Sequence, residues 1–328
     1  MAKPKVFATV PLDDRLLARL AEVCEVSRWT GDGGCPADVV EREVADTHAV
    51  VGYTPFPASL MDKAPRLRVI ATPSVGFDHI DVAAATERGI VVTHTPDVLT
   101  DTTADLAFAL MLAVARRIGE AERHVRAGLW GKVGGAASFL GRDVHHSTLG
   151  VVGLGRIGAA VAERALGFKM RVLYYDFVRR EDLEQRFGYQ YVDFDSLLRE
   201  SDFVSLHVPL MPSTRGMMGA AQFALMKPTA FLINAARGPI VDERALIAAL
   251  REGRIAGAGL DVFDREPTDP ENPLLKMENV VAVPHIGSAT IATRRAMAEL
   301  AADNAMAVLQ GRPPLTPVNP EVLSRLRP

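Results

Sequence analysis

Arg237, Glu266 and His285 are side chains whose types together could move a proton at a carbonyl. A guanidinium can hold a carboxylate through two parallel hydrogen bonds and polarise a nearby carbonyl. An imidazole titrating near neutrality can give or take the proton when a carbonyl becomes an alcohol. A carboxylate paired with that imidazole fixes its tautomer and favours its charged form. Singly, each has an ordinary reading: a surface charge, a turn residue before Pro267, a loop histidine after Pro284. Their placement joins them, because each follows an apolar run that reads as a buried strand. The runs are Ala230 to Ala235, Ala256 to Val262 and Val280 to Val283. In open parallel sheets, ligands bind beyond the carboxyl ends of the strands. Asp176, His207 and Asp261 stand at such ends too.

The second chemical element is Gly153-Leu154-Gly155-Arg156-Ile157-Gly158. Before it lies the apolar run Thr148 to Val152. After it, Ala159 to Leu166 has apolar residues at helical spacing, with Gly167 as its stop. In such a turn the first Gly makes the bend and the second lets backbone approach a pyrophosphate. The third packs helix on strand, and the helix N-terminus faces the negative charge. The next run, Arg171 to Tyr175, ends in Asp176, which can accept hydrogen bonds from ribose hydroxyls. This predicts a dinucleotide site. Beside it, the trio is equipment for hydride transfer to a 2-oxo acid. His145 and His146 read as solvated, and His79 as a loop or helix-start residue. Arg179 and Arg180 read as an exposed helix start or as partners of a ribose phosphate.

The elements that must position these groups alternate. Strands are expected at Lys5 to Val10, Glu25 to Trp29, Ala49 to Tyr53, Leu67 to Thr72 and Ile90 to Thr93. Helices are expected at Asp13 to Val23, Ala37 to Ala45, Leu60 to Ala64 and Val82 to Arg88. The pattern implies a small α/β domain with a doubly wound parallel sheet. Asp101 to Arg126 reads as one long helix, and Gly131 to His146 as a surface loop or oligomer arm. A second alternating region begins at Thr148. Within it, Arg180 to Phe187, Phe194 to Glu200 and Asp242 to Glu252 read as helices, and Phe203 to Val208 as a strand. A helix from Ile291 to Leu309 is expected to return to the first domain, followed by an irregular Pro-rich tail from Pro313.

A chain of 328 residues suits about two domains. Its net charge of −3 argues against a general nucleic-acid surface. No apolar run reaches the roughly 18 residues that span a bilayer, and Met1-Ala2-Lys3-Pro4 lacks a signal-peptide pattern, so a cytoplasmic protein is expected. Cys24 and Cys35 have no metal or redox spacing and are expected as reduced thiols; no metal is expected.

Several segments resemble the D-isomer-specific 2-hydroxyacid dehydrogenases, and most their glyoxylate/hydroxypyruvate reductase branch. They are Ser74-Val75-Gly76-Phe77-Asp78-His79-Ile80-Asp81, Thr95-Pro96-Asp97-Val98-Leu99-Thr100 with Thr103-Ala104-Asp105, and the glycine loop. Asn234-Ala235-Ala236-Arg237-Gly238, Gly259-Leu260-Asp261-Val262-Phe263 with Glu266-Pro267, and Pro284-His285-Ile286-Gly287 continue the match. The resemblance implies two doubly wound α/β domains with a cleft between them. A flavodoxin-like substrate domain would comprise residues 1–99 and 288–328, and a Rossmann cofactor domain residues 100–287. It implies that Arg237 binds substrate, that Glu266 pairs with His285 as acid/base, and that the Val75 and Gly76 amides hold the substrate carboxylate. Thr103, His207, Pro209, Thr214, Ala235, Ala236, Arg237, Asp261, His285 and Gly287 would line the cofactor, with the glycine loop and Asp176. NAD(H) is favoured because Asp176 repels a 2′-phosphate; NADP(H) is the alternative. A homodimer through the cofactor domains is implied. Related reductases often carry a Trp in this connector that reaches a partner subunit's active site; here the segment reads Ala137-Ser138-Phe139-Leu140, so either Phe139 takes that place or the contact is lost. The resemblance also leaves open an NAD(H)-responsive binding protein, or a dehydrogenase for another acid such as 3-phosphoglycerate.

Overall fold

The structure, a computed structural model, describes residues 2–132 and 135–325. The chain begins with β1 (Lys5–Ala8), α1 (Asp14–Val23), β2 (Glu25–Arg28), α2 (Ala37–Val44) and β3 (Ala49–Val51). It continues through α3 (Ala58–Met61), β4 (Val69–Ala71), α4 (Val82–Glu87), β5 (Val91–Thr93), α5 (Thr100–Ala115) and α6 (Ile118–Arg126). Then come β6 (Thr148–Val152), α7 (Arg156–Gly167), β7 (Arg171–Tyr175), α8 (Glu181–Phe187), β8 (Gln190–Tyr191), α9 (Phe194–Glu200) and β9 (Phe203–Leu206). The last are α10 (Ala220–Leu225), β10 (Phe231–Asn234), α11 (Glu243–Arg251), β11 (Gly257–Leu260), β12 (Val280–Ala282) and α12 (Ile291–Leu309). These elements form two compact units: the residues up to Leu99 with those from Ala289 onward, and Thr100–Ser288.

In the first unit, five parallel strands run in the order β2-β1-β3-β4-β5. The central strands are continuous apolar runs, as strands covered on both faces must be. Ala49, Val50 and Val51, and Val69, Ile70 and Ala71, are all buried. On α1, Asp13 accepts the Leu16 N–H at 2.8 Å, and Leu16 and Leu20 face the core. α12 lays Ala301, Ala302, Ala305 and Val308 into the same core as Val51, Ala71 and Val91. Its small residues let the helix come close to the sheet.

The second unit has seven parallel strands in the order β12-β11-β10-β9-β6-β7-β8. The chain moves outward from β6 to β7 and β8, then returns to β9 on the other side of β6. Ligands bind at such a reversal in open α/β sheets. The register aligns Val152 with Tyr175 and Leu206, Leu206 with Asn234, Asn234 with Leu260, and Leu260 with Ala282. The next residue of each strand therefore falls in one layer at the carboxyl edge: Asp176, Gly153, His207, Ala235, Asp261 and Val283.

Several expectations need correction. The helix expected over Asp101 to Arg126 is two helices, α5 and α6. Arg117 takes a left-handed conformation, φ 52°, and breaks it. Its guanidinium secures the break by donating to Glu120 at 2.8 and 2.6 Å and to the Ser138 carbonyl at 2.8 Å. Gly167 is the last residue of α7 rather than its stop, and α7 starts at Arg156, inside the glycine loop. The segment Gly131 to His146 contains a 3-10 turn, Ala136–Phe139; Val133 and Gly134 lie outside the described residues. The tail expected to be irregular carries a 3-10 turn at Pro320–Arg325. Buried Asn319 accepts the Val92 N–H at 2.8 Å and ties the tail to β5.

Candidate active site

Arg237, Glu266 and His285 follow three adjacent strands, β10, β11 and β12, at one edge of the sheet. Gly238 explains how two of these segments come together. A Cβ there would lie 1.8 Å from the Phe263 carbonyl oxygen, so only glycine lets the backbone after Arg237 touch the backbone before Glu266. Asn234 shapes the Arg237 turn: its Nδ2 donates to the Arg237 carbonyl at 3.0 Å, and its Oδ1 accepts the Ala236 N–H at 3.1 Å.

Glu266 Oε2 lies 2.6 Å from His285 Nδ1, and Oε1 accepts the Phe263 N–H at 3.1 Å. Burial works to raise the Glu266 pKa. The His285 hydrogen bond and charge, the Phe263 N–H and the Arg237 charge outweigh it, and hold the carboxyl below its ordinary range. An ionised carboxylate only accepts, so His285 carries a proton on Nδ1 and its Nε2 is left for chemistry.

His285 itself is held in an unusual backbone conformation, with φ 51°. A non-glycine residue stays there only when its surroundings over-determine it. Asp261 supplies that constraint. Its carbonyl accepts the His285 N–H at 2.9 Å, and its carboxylate accepts Ile286 N–H at 2.6 Å and Gly287 N–H at 2.8 Å. Burial pushes the Asp261 carboxyl up, and these two N–H groups oppose the shift. A Cβ on Gly287 would lie 3.1 Å from Asp261 Oδ2 and 3.4 Å from Thr103 Cγ2, so Thr103 joins this group.

The glycine loop has the shape that a dinucleotide requires. Gly153 is left-handed, φ 92°, and a Cβ on it would lie 2.9 Å from the His207 carbonyl carbon. A Cβ on Gly158 would lie 2.0 Å from the Gly153 oxygen. At Gly155 a Cβ would meet nothing within 4 Å, and no side chain caps α7 there. Open backbone at a helix N-terminus suits a pyrophosphate. Leu154, Arg156 and Ile157 complete the loop. Asp176 Oδ2 accepts the Leu154 N–H at 2.7 Å, leaving lone pairs for ribose hydroxyls. Arg179 is paired with Glu184 at 2.9 and 2.8 Å, and Arg180 with Asp182 at 2.9 Å through both contacts. His207 Nε2 lies 2.8 Å from Ser205 Oγ, and burial pulls its pKa down to about 4. Thr214 Oγ1 donates to the Pro209 carbonyl at 2.6 Å and accepts the Met211 N–H at 2.8 Å, closing the loop after β9.

Val75 and Gly76 lie in the other unit, in the loop after β4. His145 and His146 are exposed, as expected of solvated residues. Phe139 packs within its own chain, with its ring centroid 5.0 Å from that of His124 and 5.6 Å from the Arg117 guanidinium carbon. Among the described residues no cluster could hold a metal ion, and no helix is long and apolar enough to cross a membrane.

Residues 108–287 match the D-isomer specific 2-hydroxyacid dehydrogenase, NAD binding domain family. The chain belongs to the D-isomer-specific 2-hydroxyacid dehydrogenases. It is a nicotinamide-dependent oxidoreductase built from two parallel-sheet α/β units. It is 51% identical to a glyoxylate reductase of Korarchaeum cryptofilum, over 99% of this chain and 98% of that protein. It is 49% identical to a glyoxylate reductase of Thermococcus litoralis, over 99% and 100%. An NADPH-dependent glyoxylate/hydroxypyruvate reductase of Sinorhizobium meliloti, solved with NADP and malonate, superposes with a TM-score of 0.86. That pair is 38% identical, covering 97% of each chain.

Two residues that order segments named above, Asn234 and His94, are not read as candidates from the sequence. For Asn234 the available signal is its polarity at the end of an otherwise apolar strand. His94 follows β5 directly, and its Nδ1 lies 2.9 Å from the Val75 carbonyl oxygen. A histidine one residue past a strand, beside the Thr95-Pro96 motif, was the signal there.

Proposed function

We propose that the chain reduces a small 2-oxo acid, glyoxylate or hydroxypyruvate, to the 2-hydroxy acid, giving the D-isomer where the product is chiral. The observation that carries this reading is the 2.6 Å Glu266–His285 pair, set beside Arg237 at the ends of three adjacent strands. Relatives named as glyoxylate reductases at about half identity support the substrate. Arg237 and the Val75 and Gly76 amides bind the carboxylate, and Arg237 polarises the carbonyl. His285 Nε2 delivers the proton to the carbonyl oxygen while Glu266 holds the resulting charge balance at Nδ1. Asp261 keeps the His285 backbone in the conformation that presents the ring. The nicotinamide cofactor, when bound, supplies the hydride; the glycine loop, Asp176, His207, Thr214 and Asp261 are the residues that would hold it.

NADH is the preferred cofactor in this reading. Asp176 bonds the glycine loop at the end of β7, where its charge would repel a 2′-phosphate, and Arg179 and Arg180 both pair with acidic partners. A homodimer through the cofactor unit is supported by exposed apolar side chains between α6 and β6: Trp130 is 79% and Leu140 75% exposed. The unpaired thiols Cys24 and Cys35 support a cytoplasmic setting.

The test is loss of reduced-cofactor absorbance with NADH and NADPH separately. The panel is glyoxylate, hydroxypyruvate, pyruvate, phenylpyruvate and 3-phosphohydroxypyruvate. Efficient turnover of the first two with NADH supports the reading. Preference for the phosphorylated or the aromatic acid replaces the substrate, and NADH binding without turnover of any replaces the function with NAD(H) sensing.

A further inference from the structure

The proposed function places the substrate carboxylate on the Val75 and Gly76 amides, and the following inference rests on that placement. We propose that His94 is the positioning residue for this anion site: its imidazole holds the peptide unit that presents the Gly76 N–H.

The argument starts from peptide geometry. In a trans peptide, the carbonyl of one residue and the N–H of the next point in opposite directions. The Ser74 carbonyl and the Val75 N–H are therefore two ends of one rigid unit. The Val75 carbonyl and the Gly76 N–H are the two ends of the next. Both units are pinned from the carbonyl side, by consecutive residues of one neighbouring segment. Thr95 N–H donates to the Ser74 carbonyl at 2.8 Å, and His94 Nδ1 donates to the Val75 carbonyl at 2.9 Å. A carbonyl oxygen only accepts, so the ring carries its proton on Nδ1. Pinning both carbonyls on one side leaves both N–H groups facing the other. Neither N–H has a protein acceptor among the described residues. Two adjacent donors without acceptors form an anion-binding concavity, and hydrogen bonds at their carbonyls strengthen them as donors.

His94 is itself anchored for this task. Its backbone N–H donates to the Thr316 carbonyl at 3.2 Å, and its carbonyl accepts from Thr316 Oγ1 at 2.5 Å. The Phe77 ring meets the imidazole edge-on, with centroids 5.6 Å apart. Thr95 contributes through its backbone, which any residue except proline supplies. The orientation of the Gly76 unit, by contrast, depends on one side chain.

The test compares wild type with His94→Asn, His94→Gln and His94→Leu. Asn places an amide nitrogen where Nδ1 stands. Gln places it near the position of Nε2, and Leu keeps bulk without a donor. The readouts are KM and kcat for glyoxylate, and NADH affinity by fluorescence. Loss of aim in one amide that binds a charged carboxylate should raise KM about tenfold in the Leu and Gln variants. kcat should change less, NADH affinity should stay as in wild type, and Asn should restore KM to within about threefold. Two outcomes overturn the proposal: an unchanged KM in Leu and Gln, or rescue by Leu and not by Asn, which would make His94 a packing residue for Phe77. If Leu does not fold, the Asn–Gln pair decides alone, since both are polar and differ in where the donor lies. Wild-type protein without turnover of any 2-oxo acid would instead sink the underlying functional reading. That result is separate from a failure of His94 in an active enzyme.

Discussion

Replacing Glu266 by Gln keeps the shape of the pair and removes its logic. In the structure Oε1 accepts the Phe263 N–H at 3.1 Å, and Oε2 faces His285 Nδ1 at 2.6 Å. The carboxylate satisfies two donors at once, and an amide cannot. With its oxygen on Phe263, Gln turns its NH2 toward His285 and forces the ring proton onto Nε2. With its oxygen on His285, the NH2 meets the Phe263 N–H. In the first arrangement Nε2–H is the only N–H proton of a neutral ring, and giving it up would leave an imidazolate rather than a neutral imidazole. The second loses a half-buried backbone hydrogen bond. A hydrogen bond to a charged group is worth about 1.5–3 kcal/mol. The two side chains are 36% and 48% exposed, which favours the lower part of that range. About 1.5–2 kcal/mol off the transition state corresponds to a kcat lowered about 10- to 30-fold. The assay is steady-state reduction of glyoxylate at saturating NADH, with NADH affinity measured beside it. A Gln variant within about threefold of wild-type kcat would refute the claim that the carboxylate supports the proton-donating imidazole.

Two further expectations concern cofactor choice and stability. Asp176→Ala removes the carboxylate proposed to meet the ribose and should raise the NADPH-to-NADH ratio of kcat/KM by about tenfold; an unchanged ratio contradicts the ribose argument. The mutation also frees the Leu154 N–H, so NADH use should weaken at the same time. Burial lowers the His207 pKa from 6.5 to about 4. The folded state therefore binds fewer protons than the unfolded one between these values, and stability falls as pH drops through that window. The difference corresponds to about 3 kcal/mol, fully lost below the folded value. His207→Asn should flatten Tm against pH between 6.5 and 4, and a slope equal to wild type would place the titration elsewhere.

Much of this was legible because parallel sheets covered on both faces write themselves as short apolar runs. Glycine turns and polar residues then mark the carboxyl edge. Glu266 and His285 stood out because a chemically able residue followed an apolar run in each case, and the structure brings them to 2.6 Å. Three features were not legible. The break at Arg117 uses a left-handed arginine, where sequence reading expects Gly or Asn, and is secured by side-chain bonds to Glu120 and to the distant Ser138 carbonyl. β8 is a two-residue edge strand with exposed side chains, so it has no apolar signature. α10 is six residues long and buries one phenylalanine, too short for helical periodicity to register. At the site, the clamp of Asp261 on the 285–287 turn was hidden for another reason. The acid is placed by sheet register against residues about 25 positions away, and no local spacing reports that.

The central claim is that His285 passes the proton during reduction of a 2-oxo acid. The most direct measurement is NADH oxidation with glyoxylate by wild-type and His285→Ala protein, with NADH affinity measured for both. Turnover by wild type that falls about 10²- to 10⁴-fold in the variant, with NADH binding retained, is the predicted result. Near-normal turnover in His285→Ala would contradict it.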